Sequence, residues 1–255
     1  SGKYDPHKVA LVITQTGGGC RASNYIHMLR KALEKAGLSF VPVISVNLSG
    51  LEKNPGFKLS LGFIRKAVFA VFYGDLIMNV ANQVRPYELH AGDTEAAVDA
   101  CMDFLLDDMS RGKGLNHKSM IANFQRIIDR FKAVPVSGGQ KVRVGVVGEI
   151  YVKYSPLGNN NLEQFLLAEG AEPVVPGLAD FVIFKIFNRD VDVDIYGGPW
   201  IKQAVCRVFA GYIKKKQRAM IDTLKADGRF RAPGDFDELH SYIKGYLGDG
   251  NKMGE

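Results

Sequence analysis

Strand-length β-branched runs and longer stretches with helical apolar spacing alternate along this chain, and twice they do so in the same order. Lys8 to Thr14 (KVALVIT) is a short apolar run. It is followed by Gln-Thr-Gly-Gly-Gly-Cys-Arg and then by helical spacing through Ile26, Leu29, Leu33 and Ala36. Gly37 is well placed as the helix C′ residue and Phe40 to Val46 supplies a second strand, so the segment predicts a βαβ unit with a right-handed crossover. The same grammar returns at Lys141 to Val147 (KVRVGVV). A long loop at Gly148 to Asn160, a helix at Leu162 to Glu169, a C′ glycine at Gly170 and a strand near Glu172 to Val175 complete it.

Helices fill the space between and after these units. Asn47 to Gly56 is turn chemistry, and from Phe57 to about Asn82 the apolar residues are dense enough to predict a helix buried on much of its surface. Arg85-Pro86 ends it, and Thr94 to Met109 and Ser119 to Phe131 read as amphipathic helices. Further helices are expected at Leu178 to Phe187, Trp200 to Leu224 and Phe236 to Leu247. The predicted fold class is α/β, with two Rossmann-like parallel-sheet units joined by a helical segment. Pro135 to Gln140 (PVSGGQ) is the best boundary between a first lobe over 1–135 and a second over 136–255, the second expected to stop short at its C-terminus; two α/β units could also share one sheet.

At 255 residues and 46% hydrophobic composition the chain can bury one large core or two small ones. No apolar window approaches the roughly 18 residues needed to span a bilayer, and the first residues carry no apolar signal core, so a cytoplasmic protein without a membrane partner is expected. The formal charge of +6 is spread along the chain except at Lys214, Lys215, Lys216 and Arg218. That cluster follows an apolar helix face and reads as a solvated helix end rather than a nucleic-acid surface. A polyanion such as coenzyme A would suit a basic protein, but net charge does not select it.

Ligands of parallel α/β folds bind outside the carboxyl ends of the strands, which directs attention to two loops. In the first, Gly17, Gly18 and Gly19 allow close backbone approach, and Arg21, Ser23 and Asn24 lead into a helix N-terminus that favours anions. Its spacing matches neither a dinucleotide fingerprint nor a Walker loop, so no nucleotide is expected. Cys20, beside Arg21 at the helix start, sits where a thiolate is favoured, which suits a metal ligand, a nucleophile or a redox thiol, although a small residue closing a tight turn explains it equally well. Cys101 and Cys206 lie in apolar helical patterns and read as core. The second loop offers Glu149, Lys153, Tyr154 and Ser155 before Asn159, Asn160 and Asn161. One asparagine can cap the following helix and another can take a left-handed turn, with Glu163 in the first turn, which leaves Glu149, Lys153 and Tyr154 for a site.

Four blocks carry a resemblance: Gln15 to Tyr25 (QTGGGCRASNY), Asn47 to Phe57 (NLSGLEKNPGF), Asn82 to Glu88 (NQVRPYE) and Val147 to Ser155 (VGEIYVKYS). Together they resemble the acyl-CoA dehydratase activase-related proteins, in the part similar to the subunits of 2-hydroxyglutaryl-CoA dehydratase. The likeness covers about residues 8 to 200, and Gly250 to Glu255 resembles the start of a further block. It implies a lyase system of anaerobic iron-sulfur proteins, in which an ATPase activator drives a low-potential electron into a dehydratase acting on a 2-hydroxyacyl-CoA. Carried over residue by residue, it makes Cys20 a ligand of a four-iron four-sulfur (4Fe-4S) cluster completed by residues outside this chain, with Arg21 as an anion contact. The partners it implies are the remaining modules of a larger protein or an ATPase activator, with an acyl-CoA substrate. This chain alone is then expected to be inactive, and Cys20, Glu149 and Lys153 to converge. The alternative is a non-catalytic docking domain whose loops form a surface for activator modules or a partner subunit.

Overall fold

A computed structural model describes residues 4–15, 21–46, 60–246 and 248, with the backbone alone at Arg21 and Lys202. The chain forms two compact units, Ser1–Leu61 and Gly62–Glu255. The boundary expected near Pro135 falls within the second of them.

In the first unit, β1 (Leu11–Thr14) and β2 (Val43–Val46) pair in parallel from Leu11↔Val43 to Thr14↔Val46, with α1 (Tyr25–Lys35) between them in sequence. Ile26 of α1 is fully buried, and Val43 and Ser45 of β2 are buried as well. Alternation explains the pairing of burial on β2, because residues two apart share a face of a strand. Gly37 has φ +70°, the conformation expected of the residue that stops α1, and the Leu38 N–H turns back to the Leu33 carbonyl. The Asn47 to Gly56 turn lies outside the described residues.

The second unit is largely helical. Its elements are α2 (Leu61–Val84), α3 (Asp93–Ser110), α4 (His117–Lys132), β3 (Arg143–Gly145), α5 (Ile150–Tyr154), α6 (Leu162–Ala168), β4 (Glu172–Val174), α7 (Leu178–Tyr196), α8 (Trp200–Asp227) and α9 (Phe236–Ile243). The dense apolar composition of α2 is explained by its position, since Phe69, Phe72, Tyr73, Leu76 and Val80 are all buried in one core with Phe124, Ile128, Ile183 and Leu224. Tyr73 meets Phe124 edge-on at 5.7 Å and donates its hydroxyl proton to the Gly114 carbonyl.

β3 and β4 pair in parallel, Arg143 opposite Glu172 and Gly145 opposite Val174, with Pro173 in the middle of β4. A second small core of Val146, Leu166, Ala171 and Val175, joined by Tyr154 and Leu162, fastens α5 and α6 to this pair. The described residues are therefore mostly helical with two small two-stranded parallel sheets. Three sequence expectations change in detail. The stretch read as a long loop contains α5, because the Glu149 carboxylate accepts from the Tyr151 N–H and caps a turn of helix. α7 runs on past Phe187 to Tyr196, with Arg207 of α8 bound to Asp190 of α7, until Gly197 at φ +77° stops it. Lys216, expected on a solvated helix end, is buried between the rings of Phe69 and Tyr212, 4.0 and 4.4 Å from their centres. Its neighbours Lys214 and Arg218 both bind Asp237. Among the described residues no helix is long and apolar enough to cross a membrane.

Candidate functional site

The first crevice is described in part. Gly17, Gly18, Gly19 and Cys20 lie outside the described residues, and Arg21 opens a short 3₁₀ turn that ends at Ser23. Gln15 and Ser45 are both buried at the carboxyl ends of β1 and β2, and the Ser45 hydroxyl donates to Gln15 Oε1 at 2.7 Å. Gln15 Nε2 in turn donates to the Ser23 carbonyl at 3.1 Å, so one amide ties both strands to the entry of α1. Asn24 precedes α1 with a helical backbone, its carbonyl accepting from His27 and Met28.

The second crevice is described throughout. Tyr154 donates its hydroxyl proton to the Pro176 carbonyl at 2.6 Å, pinning the loop that leaves β4. Burial, followed by the nearby Asp75 charge, pushes the phenol above its ordinary pKa. Lys153 lies in the field of Asp180 and Glu149; burial lowers its pKa against the pull of those two carboxylates. Ser155 ends α5, its hydroxyl accepting from the Gly158 N–H. The asparagine run is structural in large part. Asn159 Oδ1 accepts from Leu162 N at the start of α6 while its amide donates to the Val152 carbonyl, and Asn160 and Asn161 both take left-handed conformations, with φ of 55° and 56°. Glu163 accepts from the Asn82 amide.

What sequence reasoning missed is the set of residues that other helices bring to these positions. Asp75 of α2 is buried beneath the N-terminus of α7, where its two oxygens accept from Leu178 N at 2.7 Å and Ala179 N at 2.8 Å. Burial outweighs these bonds and pushes its carboxyl up to about 6. Gly177 makes the approach possible, since a Cβ there would stand 2.7 Å from an Asp75 oxygen. Asp180 is raised by burial against the opposing effects of the Gln217 amide, which donates to it, and of Lys153. The available signal was a carboxylate inside the apolar stretch FYGDLIMNV, where an ionisable group must find a partner.

Of these groups Asp75, Gly177, Asp180 and Gln217 border a cleft of about 300 Å³ between α2, β4 and the Arg231–Gly234 segment. A larger groove of about 840 Å³ follows α1 and β2 in the first unit, but it is an open hollow whose lining includes none of the residues expected to carry chemistry.

Among the described residues an iron-sulfur cluster finds no donor set. Among the described residues no three His, Cys, Asp or Glu side chains are grouped to hold a metal. Cys101 is fully buried in the helical core, with its thiol pushed up to about 11 by burial, which disfavours thiolate. Cys206 lies on α8 among mostly exposed neighbours. Any cluster would therefore rest on Cys20 together with ligands beyond those described. Comparison with known proteins gave no matching family model, no matching curated protein and no matching solved structure.

Proposed function

We propose that this chain is a dehydratase-like domain of a cytoplasmic 2-hydroxyacyl-CoA dehydratase and activator system, inactive until further modules join it. On this reading its two parallel-stranded units are Rossmann-like lobes, and Cys20 is one ligand of a 4Fe-4S cluster completed elsewhere. The supporting observation is the fate of Val147 to Ser155, one of the blocks that carries the resemblance. It folds as the Glu149-capped helix α5 just beyond the carboxyl end of β3, with Lys153 in the field of Asp180. An ammonium and a carboxyl group that both pay for burial are suited to hold a polar acyl group and to exchange a proton with it. Glu149 is less suited to that role, because its carboxylate is engaged at the α5 N-terminus.

The test is iron and acid-labile sulfide after anaerobic reconstitution, with Cys20→Ser alongside, together with calorimetric binding of acetyl-CoA to the chain and to Lys153→Met. Iron and sulfide retained through Cys20 and lost in Cys20→Ser, and thioester binding weakened in Lys153→Met, are expected. Absence of both iron-sulfide and thioester binding from the parent chain would overturn the reading.

One observation favours the docking alternative. Ile195, Tyr196, Trp200, Ile201, Val205 and Val208, around the turn from α7 to α8, are exposed apolar side chains. A colourless protein that ignores acetyl-CoA but binds a separately produced activator module would support that alternative.

A further inference from the structure

The cleft of the second unit is electrically divided along its length. Arg143 and Glu172 stand opposite each other where β3 and β4 begin, and Asp75 and Asp180 lie where the chain leaves β4. At the first end Glu172 is almost wholly buried and is shared by Arg231, which binds one oxygen, and Tyr87, which donates to the other at 3.0 Å. Burial first, and then the neighbouring guanidinium of Arg143, lower the pKa of Arg231, and among the described residues Arg143 has no acceptor of its own. One carboxylate thus faces two guanidiniums, and the surplus positive charge borders the cleft. Asn79, on the α2 face that lines the same space, accepts from Gln83 through Oδ1 and has no acceptor for its Nδ2 hydrogens among the described residues. At the other end Asp75 is committed to the α7 backbone, whereas Asp180 accepts from Gln217 with lone pairs to spare.

We propose that this cleft binds a small carboxylate carrying a hydrogen-bond donor at its far end, the carboxylate on Arg143 and Asn79 and the donor on Asp180. A planar guanidinium without a protein partner matches a planar carboxylate through paired N–H bonds. The size of the cleft, about 300 Å³, is at the lower end for ligand sites and fits a small metabolite rather than an entire coenzyme. The assignment does not rest on the dehydratase reading, and it holds or fails whether or not a cluster is found.

Isothermal titration of the full chain with δ-aminovalerate, δ-hydroxyvalerate, valerate and pentylamine tests it. Saturable binding of the amino or hydroxy acid is expected, with valerate weaker and pentylamine silent; the tighter of the two acids identifies the donor. Arg143→Met should weaken binding by about tenfold or more, the worth of a charge-assisted pair. Asp180→Asn should erase the preference over valerate. Arg143 is exposed, so the variant is expected to fold, and far-ultraviolet circular dichroism verifies this for both variants. No saturable binding of any acid, or binding unchanged in Arg143→Met, would overturn the proposal. Inorganic phosphate bound more tightly than every acid would overturn the carboxylate assignment.

Discussion

The two βαβ units share a grammar of strand, glycine-led loop, helix, C′ glycine and parallel strand, yet they differ in what surrounds their crevices. In the first, a network internal to the segment, Ser45 to Gln15 to Ser23, holds the carboxyl ends of the strands. In the second, the groups at the strand ends come from far along the chain: Asp75 from α2, Gln217 from α8 and Arg231 from the segment after it. Local pattern is enough to set two strands parallel. Chemistry at their ends depends on long-range packing, because a carboxyl group with a displaced pKa needs neighbours that exclude water.

The sharpest way to break this contrast is to loosen the core that delivers those distant residues. Phe124→Ala removes a fully buried ring packed on Tyr73 and should destabilise the protein by about 3–5 kcal/mol, measured by urea unfolding followed by far-ultraviolet circular dichroism. Next comes Asp75. Its folded-state pKa, near 6, lies above its ordinary value of 3.8, so the native state binds the proton more tightly than the unfolded chain does. Stability should accordingly fall as pH rises from about 4 to about 6, by an amount on the order of 3 kcal/mol, and Asp75→Asn should flatten that slope in thermal melts. The smallest effect addresses what the two units share. Gly37 and Gly170, at φ +70° and +75°, end the helices of the two units. Gly37→Ala and Gly170→Ala should each cost about 1 kcal/mol, since the left-handed conformation penalises a Cβ in either setting. Clearly unequal costs in calorimetry would mean that the shared grammar is only superficial.

Elements with several turns were legible because periodicity needs length: α2, α3, α4 and α8 begin and end close to their expected positions. α5 was not, since five residues give less than two turns of pattern, and what makes it a helix is the Glu149 cap. The asparagine run was read correctly for the left-handed turn, taken by both Asn160 and Asn161, but the N-cap position Asn161 makes no side-chain cap bond and Asn159 reaches the Leu162 N–H instead. Lys153 and Tyr154 were visible as polar residues in a loop-bearing position, whereas Asp180 and Asp75 were not, because their partners lie outside any local window. The fate of Lys216 follows the same logic. A run of basic residues reads as solvated until another helix lays an aromatic ring over one of them, as Phe69 does here.

Pro173 has a consequence for how this molecule behaves in a crowd. Glu172 and Val174 turn their backbone groups toward β3, as the bonds from Glu172 N to Val142 and from Val146 N to the Val174 carbonyl require, so Pro173 is the residue of β4 whose backbone is directed to the opposite edge. There it has a carbonyl to offer and no N–H. A strand from another molecule arriving at that edge would find half of the ladder missing, so one proline blunts the edge of β4 beside the inward-turned charge of Glu172.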